Sequence, residues 1–101
     1  MIIYNVTIKI VPEIEKTWVA WMKAEHIPDL MQTGLFTGYH LCRLLEQDET
    51  DGITFSVQYF CENKEAYDNY ISAHAPLMRD KGFQKFGNQF IAFRTVMETI
   101  E

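Results

Sequence analysis

Large apolar side chains occupy every second position near the start of the chain. Within residues 2–11 they fall on one face, at Ile2, Tyr4, Val6, Ile8 and Ile10. An alternation of period two is typical of a strand that buries one face. We therefore predict a first strand over residues 2–11.

Two later segments place apolar residues at helical spacing. The first begins at Pro12, whose fixed φ suits the first turn of a helix, and its apolar positions are Ile14, Trp18, Trp21 and Met22. The second begins near Asn63, a good N-cap, and its apolar face comprises Ala66, Tyr67, Tyr70, Ile71, His74 and Met78. Pro28 and Pro76 cannot donate a backbone hydrogen bond, so we predict a kink or break near each of them.

Three further segments complete the predicted sheet. Residues 36–45 and 53–61 are rich in β-branched and aromatic side chains and flank the acidic segment 46–52, which predicts an antiparallel hairpin. A last strand is predicted over residues 89–98. The resulting order β-α-β-β-α-β is that of an α+β, ferredoxin-like fold with a four-stranded antiparallel sheet. At this length we expect one domain over residues 1–101.

Composition narrows the possible partners. Nine Lys and Arg residues against fourteen Asp and Glu give a net charge of −5, which argues against nucleic-acid binding. RNA-recognition motifs share the strand order, but Asp51 and Gln58 stand where their third strand needs a basic and an aromatic residue. No apolar stretch approaches the roughly 20 residues of a membrane span, and the start lacks a signal-peptide pattern. Cys42 and Cys61 suit free thiols, so we expect a cytoplasmic protein.

His26 is the strongest candidate for chemistry. Glu25 and Asp29 lie close to it in sequence, which favours a general base or proton relay at a helix break. The alternative is that His26 caps local carbonyls or pairs with Asp29 at the surface. Both His26 and His74 precede a predicted helix end, and a helix C-terminus favours charged imidazole. The histidines are too dispersed for a metal site, and no cofactor motif is present, so neither is expected.

The hairpin sorts its side chains into two faces when paired residue numbers sum to 98. One face then carries Tyr39, Leu41 and Arg43 opposite Tyr59, Val57 and Phe55. This face is apolar and should carry the helices, so we expect Arg43 to be partly buried with a carboxylate or an anionic ligand. We take Tyr39, Arg43 and Tyr59 as candidate ligand-binding residues. The alternative for Arg43 is a bridge to a helix carboxylate.

The second face of the sheet presents small, uncharged, hydrogen-bonding side chains. They are Asn5, Thr7, His40, Cys42, Ser56 and Gln58, with apolar Ile3 and Leu44 among them. A fully solvated face would carry more Lys and Glu, and the helices of this fold cover only one face. We therefore predict a homodimer through this face, with Asn5, Thr7, His40, Ser56 and Gln58 at the interface.

Several motifs resemble a bacterial domain-of-unknown-function family of about this length. They are Met1-Ile-Ile-Tyr-Asn-Val-Thr7, Trp18-x-x-Trp-Met22, Glu25-His-Ile-Pro-Asp29, Thr33-Gly34 with Phe36, Gln58-Tyr-Phe60, Phe86-Gly-Asn-x-Phe90 and Ala92-Phe-Arg94. The resemblance covers nearly the whole chain and implies a ferredoxin-like domain with no assigned reaction. The architecture is more distantly similar to dimeric α/β-barrel proteins, which include antibiotic-biosynthesis-type monooxygenases and muconolactone isomerases.

Two classes of function remain open from the sequence. The first is a homodimeric module that binds a small molecule or has a non-catalytic regulatory or structural role. The second is a cofactor-independent enzyme, monooxygenase- or isomerase-like, acting on a small aromatic or anionic metabolite. In the enzyme, His26 would be the base, Arg43 the anion anchor, and Tyr39 and Tyr59 the pocket walls. A cavity that contains both His26 and Arg43 would favour the enzyme.

Overall fold

Four antiparallel strands form a single sheet. The computed structural model describes all 101 residues, and its strands are β1 (Ile2–Ile10), β2 (Gly38–Arg43), β3 (Ile53–Cys61) and β4 (Phe90–Glu98). They lie in the order β2-β3-β1-β4, with β1 between β3 and β4. This order is ferredoxin-like, so the predicted α+β fold is confirmed.

The two central strands bury one face each, as their alternation predicts. In β1 and β3 every second side chain is buried and the intervening ones are half-buried. Pairing brings Val6 opposite Val57 and Tyr4 opposite Tyr59, which makes a continuous apolar layer. Trp18 packs on this layer, with its ring centroid 4.8 Å from that of Phe55. Burial of this layer against the helices is the main stabilising contribution to the fold.

The hairpin has the predicted register. Tyr39 lies opposite Tyr59 and Arg43 opposite Phe55, so paired numbers sum to 98. However, β2 is an edge strand, and its side chains are mostly exposed. The pattern therefore assigned the face of each residue correctly without showing how far the helices cover it.

The first helical segment changes type directly before its proline. A short 3₁₀ turn (Pro12–Ile14) leads into α1 (Glu15–Trp21), then a π-helical turn (Met22–His26), then α2 (Ile27–Met31). The π turn is the predicted interruption near Pro28, because its wider hydrogen-bonding pattern accommodates a residue without an N–H. Gly34, at φ +77°, ends this segment in the left-handed region that favours glycine.

The second helical segment breaks where Pro76 predicts. Helix α3 (Lys64–Ala73) begins after Asn63, whose side chain accepts a hydrogen bond from the Ala66 N–H at 2.9 Å. The break lies at His74, and α4 (Ala75–Phe86) starts with Pro76 in its first turn. Helix α4 continues well beyond the apolar face that the sequence predicts. None of the helices combines the length and apolar character that a membrane crossing requires.

Candidate functional site

A cavity of about 60 Å³ lies between the helices and the covered face of the sheet. Strands β1, β3 and β4 contribute Tyr4, Val6, Ile8, Val57, Tyr59, Phe90, Ala92 and Arg94 to its walls. The helical segments contribute Trp18, Trp21, Met22, His26, Leu30, Tyr70, Met78, Arg79, Gly82 and Phe86. A mostly apolar cavity with a few polar side chains is the usual composition of a small-molecule site.

His26 reaches this cavity from the last residue of the π turn. Its ring stacks on Trp21, with centroids 4.6 Å apart and an interplanar angle of 21°. Its Nδ1 atom is buried and has no hydrogen-bond partner in the protein. Buried polar atoms are nearly always hydrogen-bonded, so an unpaired Nδ1 atom is unusual.

Burial controls the charge of His26. It lowers the pKa of His26 from 6.5 to about 4, and the charges of Lys81 and Arg94 add to this effect while Asp29 opposes it. The expectation that a helix end favours charged imidazole is therefore wrong for His26. The helix does not end there, because the π turn continues into α2. His26 is neutral at neutral pH, with one ring nitrogen that donates a hydrogen bond and one that accepts.

Asp29 has a different partner from the one considered above. Its carboxylate accepts a hydrogen bond from Lys81 Nζ at 3.2 Å, which joins α2 to α4. The surface His26–Asp29 pair is thus not formed, and the half-buried ring of His26 instead stacks on Trp21. Asp29 affects His26 through its charge alone.

Two arginines that the sequence reasoning missed also line the cavity. Arg79 belongs to α4 and Arg94 to β4. Neither has a carboxylate within ion-pair distance, and the Arg79 guanidinium donates to the Tyr4 hydroxyl at 3.5 Å. The sequence did contain an indication for Arg94. Side chains two positions apart on a strand lie on the same face, and Arg94 follows Phe90 and Ala92 at this spacing; all three line the cavity.

The structure separates the three predicted ligand-binding residues. Tyr59 is buried in the cavity wall, and this burial raises the pKa of its hydroxyl, which stays protonated. Tyr39, 47% exposed, and Arg43 lie on the edge strand outside the cavity. The structure therefore brings His26 and Tyr59 to one cavity and leaves Tyr39 and Arg43 away from it.

Arg43 is more exposed than predicted. Its side chain is 42% exposed, because β2 is an edge strand that the helices do not cover. The predicted carboxylate contact is present, since the guanidinium donates to Glu15 at 3.0 Å and to Glu49 at 3.1 Å. Glu15 lies in α1, so the alternative of a bridge to a helix carboxylate describes Arg43 correctly.

The uncovered face of the sheet combines a polar centre with an apolar side. Ser56 donates to the Asn5 side chain at 2.7 Å, and Asn5 donates to Thr7 at 3.0 Å. Gln58 is half-buried, and His40 is exposed with its ring edge-to-face on Phe60. Strand β4 adds apolar side chains that the sequence reasoning missed: Ile91, Phe93 and Met97, of which Phe93 is 66% exposed.

No part of the molecule gathers three or more histidine, cysteine, aspartate or glutamate side chains that could hold a metal ion. The two cysteines are free, Cys42 exposed and Cys61 buried. The cavity is lined by imidazole, guanidinium and phenol groups. These groups hydrogen-bond to organic ligands, and the guanidinium groups also attract anions.

Fold and cavity together define a ferredoxin-like α+β protein with a cavity between the sheet and its helices. The chain belongs to the domain-of-unknown-function family DUF4286, whose model matches residues 1–100. This family agrees with the resemblance drawn from the sequence motifs. A search of curated proteins finds no match.

Solved structures show the same fold with diverse activities. An antibiotic biosynthesis monooxygenase is 14% identical at a TM-score of 0.69, with both chains covered fully. A dimeric ferredoxin-like protein from an uncultured marine organism is 11% identical at a TM-score of 0.69, with 100% of this chain and 96% of that one covered. A hydroxynitrile lyase from Passiflora edulis is 11% identical at a TM-score of 0.63, with 99% and 96% covered. At such identities the likeness shows the fold alone.

Proposed function

We propose that this protein is a homodimeric module that binds a small molecule in the cavity between its sheet and its helices. The observation that carries this proposal is the mostly apolar cavity itself, which His26, Arg79 and Arg94 line with polar side chains. A ligand with one hydrogen-bonding group and an apolar body complements such a site.

The dimer is proposed from the uncovered face of the sheet. Phe93 and Ile91 are large apolar side chains that are more than half exposed, and Phe93 lies opposite Thr7 in the hydrogen-bonded centre. Adjacent exposed apolar side chains favour association, and a twofold axis lets one patch serve both chains. The dimeric ferredoxin-like proteins of the same fold support this assembly.

Binding is proposed ahead of catalysis because of the state of His26. With a pKa of about 4, its imidazole is neutral but a weak base, so it is better suited to hydrogen bonding than to proton abstraction at neutral pH. The cofactor-independent enzyme remains the second candidate, supported by the neutral imidazole in the cavity. An enzyme predicts substrate conversion that His26→Gln abolishes while binding persists.

Tryptophan fluorescence tests the ligand site directly. The chain has two tryptophans, and both line the cavity, so a bound ligand changes the environment of every fluorophore. We expect small organic molecules, charged or neutral, to give a saturable change in emission. Gly82→Ala, which adds a methyl group 3.6 Å from Trp21, should weaken this response, and the matched Gly38→Ala on β2 should not. An unsaturable response that is identical in all three proteins contradicts the site.

Sedimentation equilibrium tests the dimer. We expect a mass of twice 11.9 kDa for the wild-type chain and 11.9 kDa for Ser56→Arg, which places a cation at the centre of the uncovered face. Glu65→Arg on the exposed side of α3 is the matched control and should remain dimeric. A wild-type mass of 11.9 kDa at micromolar concentration refutes the dimer.

A further inference from the structure

The three arginines of this chain have different partners. Arg43 binds two carboxylates, whereas Arg79 and Arg94 line the cavity with none in ion-pair distance. The chain carries fourteen acidic residues against nine basic ones, so carboxylates are abundant elsewhere on the molecule. Guanidinium groups are well suited to binding carboxylates and phosphates, and two of them line this one cavity.

The two arginines approach the cavity from different elements. Arg79 comes from α4 and Arg94 from β4. Both charges act on the Tyr70 hydroxyl, where they partly offset the rise in pKa that burial causes. The two side chains line the cavity from its helical side and from its sheet side. Lys81, whose charge also acts on His26, is already paired with Asp29.

The volume of the cavity limits the size of the ligand. A water molecule needs roughly 10–15 Å³ of such a cavity, so a cavity of 60 Å³ has room for about four to six atoms of that size. An engineered cavity that holds benzene measures about 150 Å³. This cavity has less than half that volume, so a short aliphatic chain matches it better than an aromatic ring.

We propose, building on the ligand site above, that the ligand is a small organic anion: its carboxylate lies between Arg79 and Arg94, and a short apolar chain enters the cavity. The walls that the chain meets are apolar, for example Trp21 and Phe90. The charged group stays beside the two arginines. Because both arginines are exposed, the carboxylate remains partly hydrated, which avoids the cost of burying a charge.

Butyrate and butyramide are the probes, because they share the same short chain and differ in charge. At constant ionic strength, we expect butyrate to change the tryptophan emission with a Kd at least about tenfold lower than butyramide. Arg79→Gln and Arg94→Gln should each raise the butyrate Kd about tenfold and leave butyramide unchanged. Arg43→Gln, outside the cavity, is the matched control and should leave both unchanged.

The outcomes separate this inference from the ligand site itself. If butyrate and butyramide bind equally well and neither arginine substitution changes their Kd, the anion inference is refuted. The ligand site itself is still supported in that case. No response to either probe overturns the anion inference, while a saturable response to other neutral molecules still supports the site. Benzoate is expected to bind more weakly than butyrate, and tighter binding of benzoate refutes the limit on size.

Discussion

Acid should destabilise this protein through His26. Burial lowers the pKa of His26 from 6.5 to about 4, so between these pH values the unfolded chain takes up a proton that the folded chain does not. The free energy of unfolding therefore falls as the pH drops through this window. Each pH unit corresponds to 1.36 kcal/mol, so the full interval amounts to about 3 kcal/mol. Since domains of this size are stable by roughly 5–15 kcal/mol, the loss is large.

Urea unfolding of the wild type and His26→Gln, followed from neutral pH to about pH 4, measures this contribution. Glutamine removes the titrating group, and other acid-sensitive contacts such as Asp29–Lys81 affect both proteins alike. We expect the stability advantage of the wild type over the variant to shrink by up to about 3 kcal/mol across the window. His40→Gln, at an exposed site, should follow the wild type. Parallel pH profiles for wild type and His26→Gln would refute the buried, neutral imidazole.

Three further substitutions probe other parts of the structure. Gly82→Ala should stabilise the protein by about 1 kcal/mol and raise Tm by several degrees, because alanine favours a helix more than glycine does. The added methyl group lies 3.6 Å from Trp21, an ordinary van der Waals distance, and a lower Tm contradicts this prediction. Asn63→Ala should cost about 1 kcal/mol in urea unfolding, because the Ala66 N–H loses its cap, and Asn63→Asp should restore most of the loss. Arg43→Gln should leave Tm nearly unchanged, since exposed ion pairs are well screened; a large drop would show that its two bridges stabilise the fold.

The strand pattern predicted the sheet well because it depends on local chemistry. Alternation identifies the buried face of β1. In the hairpin, a shift by one residue would exchange the two faces, and this constraint determines which side chains share a face. Coverage of that face is a different quantity, since it depends on where the helices lie. Arg43 and Tyr39 are on the predicted face, but β2 is an edge strand, so they are exposed.

The cavity was harder to predict because distant segments build it. His26 was identified as a candidate, yet its charge depends on burial by residues that the sequence does not place around it. Arg79 and Arg94 lie fifteen positions apart and on different elements, and no short motif joins them. Only their common position at the cavity distinguishes them from ordinary surface arginines.

Strand β4 links the two proposed surfaces. Consecutive side chains of a strand point to opposite faces, so Phe93 lies on the uncovered face while Arg94 lines the cavity. Because β4 is an edge strand held by β1 alone, a partner chain that packs on Phe93 would restrict the same backbone that positions Arg94. The proposed dimer interface and anion site are thus separated by the thickness of one strand. Assembly on one face and ligand binding on the other are therefore coupled in this proposal through β4.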